Sequence, residues 1–164
     1  MASVTRLAAA AGGLTLAALV ALALAVGFGG DEPPPLAVAT TAGFGPPDDR
    51  EDGRTRWLEA STGRLEVVVG GRPRTVDVRL ELSSFAVPRR ADVLLGGRQV
   101  ATAEVPPRRF VDVVAPLGTL ATGRHEVELR VEPGPQSIAE TVGVPDPRRV
   151  SVRIRALEAA HRTS

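Results

Sequence analysis

Between Thr75 and Leu82 the chain alternates strictly: Val76, Val78, Leu80 and Leu82 are apolar, while Thr75, Asp77, Arg79 and Glu81 are polar. A period of two places the apolar set on one face of a strand and the polar set on the other, so a second layer must cover the apolar face. The pattern recurs along the chain. Leu65, Val67 and Val69 alternate with Arg64, Glu66 and Val68. His125, Val127, Leu129 and Val131 face inward between Glu126, Glu128 and Arg130, and Val150, Val152 and Ile154 do so in a last strand from Arg149 to Ala156. Ala91 to Leu95 and Gln99 to Val105 flank Gly96-Gly97, a hairpin signal, and Gly70-Gly71 reads as a second hairpin turn. Phe110 to Ala115 forms a short apolar strand, and Thr55 to Ala60 an edge strand. Helical periodicity is missing apart from a turn at Ile138 to Val142 and a frayed end at Leu157 to His161. Seven or eight strands punctuated by Gly and Pro predict an all-β protein, an antiparallel β-sandwich of jelly-roll-like form.

The first thirty residues have a different character. Leu7 to Phe28 holds 22 residues without a charge. As a helix they reach roughly 33 Å, enough for a hydrocarbon core of about 30 Å. Arg6 precedes the run and Asp31 and Glu32 follow it, which puts the N-terminus in the cytoplasm and the rest outside. The expected localisation is the cytoplasmic membrane, single-pass, with residues 7–28 as the membrane contact. The alternative is a secretory signal peptide cleaved after Ala23-Leu24-Ala25, giving a secreted protein. The expected organisation is residues 1–30 as anchor or signal peptide, 31–53 as a linker, 54–157 as the sandwich and 158–164 as a tail. The linker holds Pro33, Pro34, Pro35, Pro46 and Pro47 among Gly and acidic residues. Its acidic end, Asp48 to Gly53, lacks calcium-loop spacing, and Arg50 and Arg54 repel a cation.

Several short motifs occur in order: Ser83-Ser84-Phe85-Ala86-Val87-Pro88-Arg89, Gly97-Arg98-Gln99-Val100, Gly123-Arg124-His125-Glu126-Val127, Pro133-Gly134-Pro135-Gln136-Ser137-Ile138, and Asp146-Pro147-Arg148-Arg149-Val150-Ser151-Val152-Arg153-Ile154. Together with Gly43-Phe44 and Arg56-Trp57, they resemble the exported β-sandwich that follows the transmembrane helices in actinobacterial membrane proteins of the glycosyltransferase type. The resemblance spans roughly residues 43 to 155. It implies a jelly-roll-like domain attached to the membrane and facing the cell envelope. It carries over no catalytic residue, because the catalytic part of such proteins lies in helices that this chain lacks.

Chemistry-bearing constellations are sparse. All 20 basic residues are Arg, and the chain has no Lys, Asn, Tyr or Cys. That removes a Walker A loop, a Schiff base, thiolate catalysis and cysteine metal sites. Gly-x-Ser-x-Gly is absent, and His125-Glu126 lacks the second His of a zinc helix. His125, on the face of Val127 and Leu129, reads as a half-buried structural residue. The carboxylate pairs Glu126/Glu128 and Asp77/Glu81 alternate with Arg and read as salt-bridged surface rather than a glycosidase pair. No enzyme, cofactor or metal site is expected.

Beyond residue 30, 19 Arg face 19 acids, a balance that argues against nucleic acid as partner. Arg89-Arg90, Arg108-Arg109 and Arg148-Arg149 stand beside prolines in loops and read as three independent solvated turns. They reach an anionic partner only if those loops share one end of the sandwich. The expected function is a membrane-tethered, envelope-facing, non-enzymatic accessory or interaction domain, its partner a membrane protein or an envelope glycan. The alternatives are a carbohydrate-binding module for cell-envelope glycans and, behind it, a glycan-active enzyme. Candidate ligand-binding residues are Trp57 as a sugar platform, with Arg56 and Glu59 as hydrogen-bonding neighbours. The favoured reading of Trp57 is nevertheless structural, as a cover for the sandwich end with its indole N–H bonded to a loop carbonyl. Phe85 and Phe110 are expected in the core.

Overall fold

The computed structural model describes residues 36–48 and 55–162. Two five-stranded antiparallel sheets form a sandwich. The first runs β1 (Leu36–Ala42), β4 (Thr62–Val69), β9 (Gly123–Glu132), β6 (Arg89–Leu95) and β7 (Arg98–Val105). The second runs β2 (Phe44–Asp48), β3 (Thr55–Leu58), β12 (Val152–His161), β5 (Arg74–Ser84) and β8 (Val111–Leu120). A two-stranded ribbon, β10 (Gln136–Ser137) with β11 (Arg149–Val150), and the short helix α1 (Ile138–Val142) lie between β9 and β12 in sequence. From β4 onward the chain crosses repeatedly from one sheet to the other, as a jelly roll does.

The alternating segments supply the core. Val76, Val78, Leu80 and Leu82 of β5 are fully buried, and so are Leu65 and Val67 of β4 and Val127, Leu129 and Val131 of β9. These residues from opposite sheets share one apolar cluster. Gly96 and Gly97 both take positive φ, 57° and 78°, and close the β6–β7 hairpin with Leu95 opposite Arg98. The turn at Ile138 to Val142 is α1, capped by Ser137, whose hydroxyl accepts from Glu140 N.

Four expectations change. The linker reading fails for residues 36–48, which form β1, paired with β4, and β2, paired with β3. Leu36, Val38 and Phe44 pack on the core, and Gly63 makes room for Phe44, since a Cβ there would lie 2.6 Å from the ring. Pro46 and Pro47 are tolerated because β2 is outermost, where a missing N–H breaks no inner ladder. For the same reason β3 is not the edge strand: β2 covers one side and β12 the other. Gly70-Gly71 does not close a hairpin, because β4 and β5 lie in different sheets; Gly71, at φ 73°, helps carry the chain across. Finally, the frayed end is strand, with β12 paired to β5 as far as His161 opposite Val76. A bulge between Ile154 and Leu157 shifts the parity there, so the sequence shows a spacing of three where the strand stays extended.

The apolar run at residues 7–28, the remaining linker residues and the last two residues lie outside the described residues. Among the described residues no helix is long and apolar enough to cross a membrane.

Candidate functional site

The two outer faces of the sandwich differ in chemistry. On the first sheet, β4, β9 and β6 present a lattice of ion pairs: Arg124–Glu66 at 3.0 Å, Arg64–Glu126 at 3.6 Å, Arg130–Glu128 at 2.8 Å and Arg90–Asp92 at 3.0 Å. Glu126 and Glu128 are thus salt-bridged surface, as expected. His125 is half-buried at the rim of this sheet, with Nε2 2.8 Å from Ala121 O.

Trp57, Phe85 and Phe110 lie on the outer side of the second sheet, unlike Phe44. Trp57 on β3 stands opposite Arg153 on β12, which stands opposite Ser83 on β5. Phe110 precedes β8, and its parity is that of outward Asp112 rather than buried Val113. The row therefore reads Trp57, Arg153, Ser83, Phe110 across four strands. The Arg153 guanidinium lies 5.4 Å from the Trp57 ring centroid and 4.9 Å from that of Phe110. Phe85 meets Trp57 edge-on, with centroids 5.8 Å apart and planes at 89°. Beneath this layer Ser83 is only 2% exposed. Arg155 follows with its guanidinium 4.2 Å from the Phe110 ring, while its Nε donates to Glu81 Oε2 at 2.7 Å. Arg79 forks onto Asp112 at 3.2 and 3.0 Å, an ion pair that raises the Arg79 pKa. The face thus carries half-buried rings with the Arg153 and Arg155 guanidiniums set over them and the Glu81 and Asp112 carboxylates alongside, a mixed apolar and polar surface.

The three sequence-predicted site residues are only partly brought together. Trp57 is in the cluster, half-buried, and its indole N–H makes no hydrogen bond among the described residues. Arg56, its chain neighbour, projects to the opposite face of β3, donates to Gly45 O at 3.3 Å and lines a groove of about 470 Å³ with Thr40, Leu157 and Glu158. Glu59 lies beyond the end of β3 with its carboxylate against Gly45, where an added Cβ would meet Oε1 at 2.2 Å. There it joins Asp48 in supporting Arg148, whose pKa is raised chiefly by its hydrogen bond to Asp146. Phe85, Phe110, Arg153 and Arg155 were not expected at a site. Phe85 and Phe110 are half-buried outside the core cluster, a correction for which the parity of Phe110 was the available signal.

The basic loops also depart from expectation. Arg89 is no solvated turn residue: it is 1% exposed. Its Nε donates to Pro133 O at 3.0 Å, one terminal nitrogen to Ser84 Oγ at 2.7 Å and to the carbonyls of Phe85 and Val87, and the other to Gly134 O and Gln136 Oε1. Burial lowers its pKa. One guanidinium thereby ties the loop carrying Phe85 to the segment that follows β9.

No protein-family model matches the sequence, and no curated protein matches it. Solved structures resemble the fold at a distance. The module CsCBM6-3 from Clostridium stercorarium, in complex with cellobiose, shares 13% identity over 78% of this chain and 87% of its own, at a TM-score of 0.43. A β-1,3-glucan-binding CBM6 from Bacillus halodurans shares 14% over 77% and 90%, at a TM-score of 0.35. A family two carbohydrate esterase from Clostridium thermocellum shares 12% over 77% of this chain, at a TM-score of 0.43, and the match spans only 33% of the esterase. At such identities and TM-scores these likenesses carry no functional argument, which rests instead on the residues of the second sheet.

Proposed function

We propose that this chain is a non-catalytic, glycan-binding β-sandwich whose ligand stacks on the outer face of the second sheet, at Trp57 and Phe110. The observation that supports this reading is the cluster outside the core in which Trp57 and Phe110 flank Arg153 and Phe85 packs edge-on against Trp57. An aromatic ring carries one of the largest apolar areas a domain can bury. Holding three of them half-exposed on one face, beside oriented polar groups, suits a ligand with apolar C–H faces and hydroxyl rims.

Trp57→Ala in the full chain is expected to weaken retention on the bound glycan by about tenfold or more and to lower the melting temperature by a few degrees through the lost Phe85 contact. A glycan array identifies the ligand, and affinity electrophoresis with thermal melts separates the two effects. Binding that falls only with the folded fraction would leave Trp57 a purely structural residue and remove the reading.

In this proposal residues 7–28 hold the domain at the outer side of the cytoplasmic membrane, supported by Arg6 before the apolar run and Asp31 and Glu32 after it. Alkaline phosphatase fused after Ser164 is expected to be active. An inactive fusion alongside an active cytoplasmic reporter would reverse the topology.

A further inference from the structure

The charge on the second sheet's outer face is balanced along most of its length. Arg79 is held by Asp112, Arg155 by Glu81 and Arg162 by Asp77. The balance ends beside Phe85 and Phe110, where three arginine-bearing loops meet. Ser84 N donates to Pro106 O at 3.0 Å and Arg108 N to Ser84 O at 3.3 Å, joining the loop after β5 to the turn before β8. Arg89 binds the first of these to Pro133 and Gly134, and Arg149 donates to Pro135 O at 3.2 Å.

The segments that carry four arginines thus meet at this end. Arg89 is buried among neutral oxygens, and Arg108 and Arg109 are exposed and make no ion pair among the described residues. Arg149 is exposed on a carbonyl. Of the nearby acids, Asp146 holds Arg148, while Glu104 and Glu132 flank Arg90 on the first sheet, whose own guanidinium pairs with Asp92. That face contributes one arginine against three acids, and the excess of positive charge lies with the other four. In a domain whose charges otherwise balance, a buried, weakly screened cation behind two exposed ones makes this end electropositive. The backbone is held in place here as well. Ala86 and Arg108, each beside or two residues from a ring of the cluster, take left-handed φ values of 59° and 61°, a conformation that persists where the surroundings fix it.

We propose that this end binds an acidic group carried by the glycan, a carboxylate or a phosphate, with Arg108 and Arg109 as the side chains that read it. The inference rests on the glycan-binding reading and names the ligand as an acidic polysaccharide, its sugar rings on Trp57 and Phe110 and its anionic substituents at the loop end. Guanidinium groups suit both carboxylate and phosphate through forked hydrogen bonds.

The test uses the full chain, with polygalacturonate, its methyl-esterified form, glycerol teichoic acid and phosphatidylglycerol vesicles as probes. Polygalacturonate or the teichoic acid is expected to retard the protein, more weakly as salt rises, and the esterified polymer much less. Arg108→Asn with Arg109→Gln is expected to weaken that retention by about tenfold. Asn tolerates the left-handed backbone, so the melting temperature should not move. Equal retention by the charged and esterified polymers, unaffected by the double substitution, would overturn the acidic-group proposal and leave glycan binding standing. Vesicle binding with the same arginine dependence, and none by either polymer, would assign the site to a lipid headgroup instead. Failure of both acidic polymers to retard the wild type would also overturn it, while neutral glycans on the array judge the glycan reading separately.

Discussion

Arg89→Met is expected to be the most damaging single substitution in the domain. The guanidinium holds oxygens from the loop after β5 and from the segment after β9, and burial denies them water. Each buried acceptor left unpaired costs about 1–3 kcal/mol, so two or three of them remove much of the roughly 5–15 kcal/mol that stabilises a typical domain. Arg89→Lys keeps the charge but offers three donors on a compact ammonium, which does not span both segments, and a smaller loss is expected. Urea denaturation of the full chain measures both. An Arg89→Met midpoint equal to that of the wild type would mean that the two segments hold together without the clamp.

The second large effect concerns the inner faces. Leu80→Ala and Leu129→Ala each empty a fully buried site in the shared cluster, one in each sheet, and each is expected to cost roughly 2–5 kcal/mol. Arg79→Ala, one residue from Leu80 and on the outer face, is expected to melt close to the wild type. A register shifted by one residue would exchange these outcomes, since it turns every side chain to the other face. Thermal and urea unfolding of the three variants therefore test the register of β5 as well as the packing.

Most of the inner face was legible because strand alternation is a local property. Each residue from Val76 to Leu82 is assigned by its own parity, with no knowledge of its partners. The Gly96-Gly97 turn was legible for a similar reason: two positive φ values at one tight reversal favour glycine. The misreadings arose where parity breaks or where partners are distant. Beyond Ile154 the bulge imitates a helical spacing, and at residues 36–48 short stretches rich in Ala, Gly and Pro become strands because β4 and β3 supply neighbours. Gly70-Gly71 suited a hairpin locally, but β4 and β5 each find better partners in separate sheets.

The candidate site divides in the same way. Sequence by itself determined the all-β sandwich, the inner faces of β4, β5 and β9, and Trp57 as a residue of interest, because composition and period two act within a few neighbouring residues. Tertiary structure decided that Trp57 and Phe110 flank Arg153, with Phe85 against Trp57, from elements up to almost a hundred residues apart in the chain. It also parted Arg56 from Trp57, drew the basic loops to one end and buried Arg89 between two of them. Those outcomes depend on which strands become neighbours and which loop carbonyls lose water, and both are set only when the sheets close on each other.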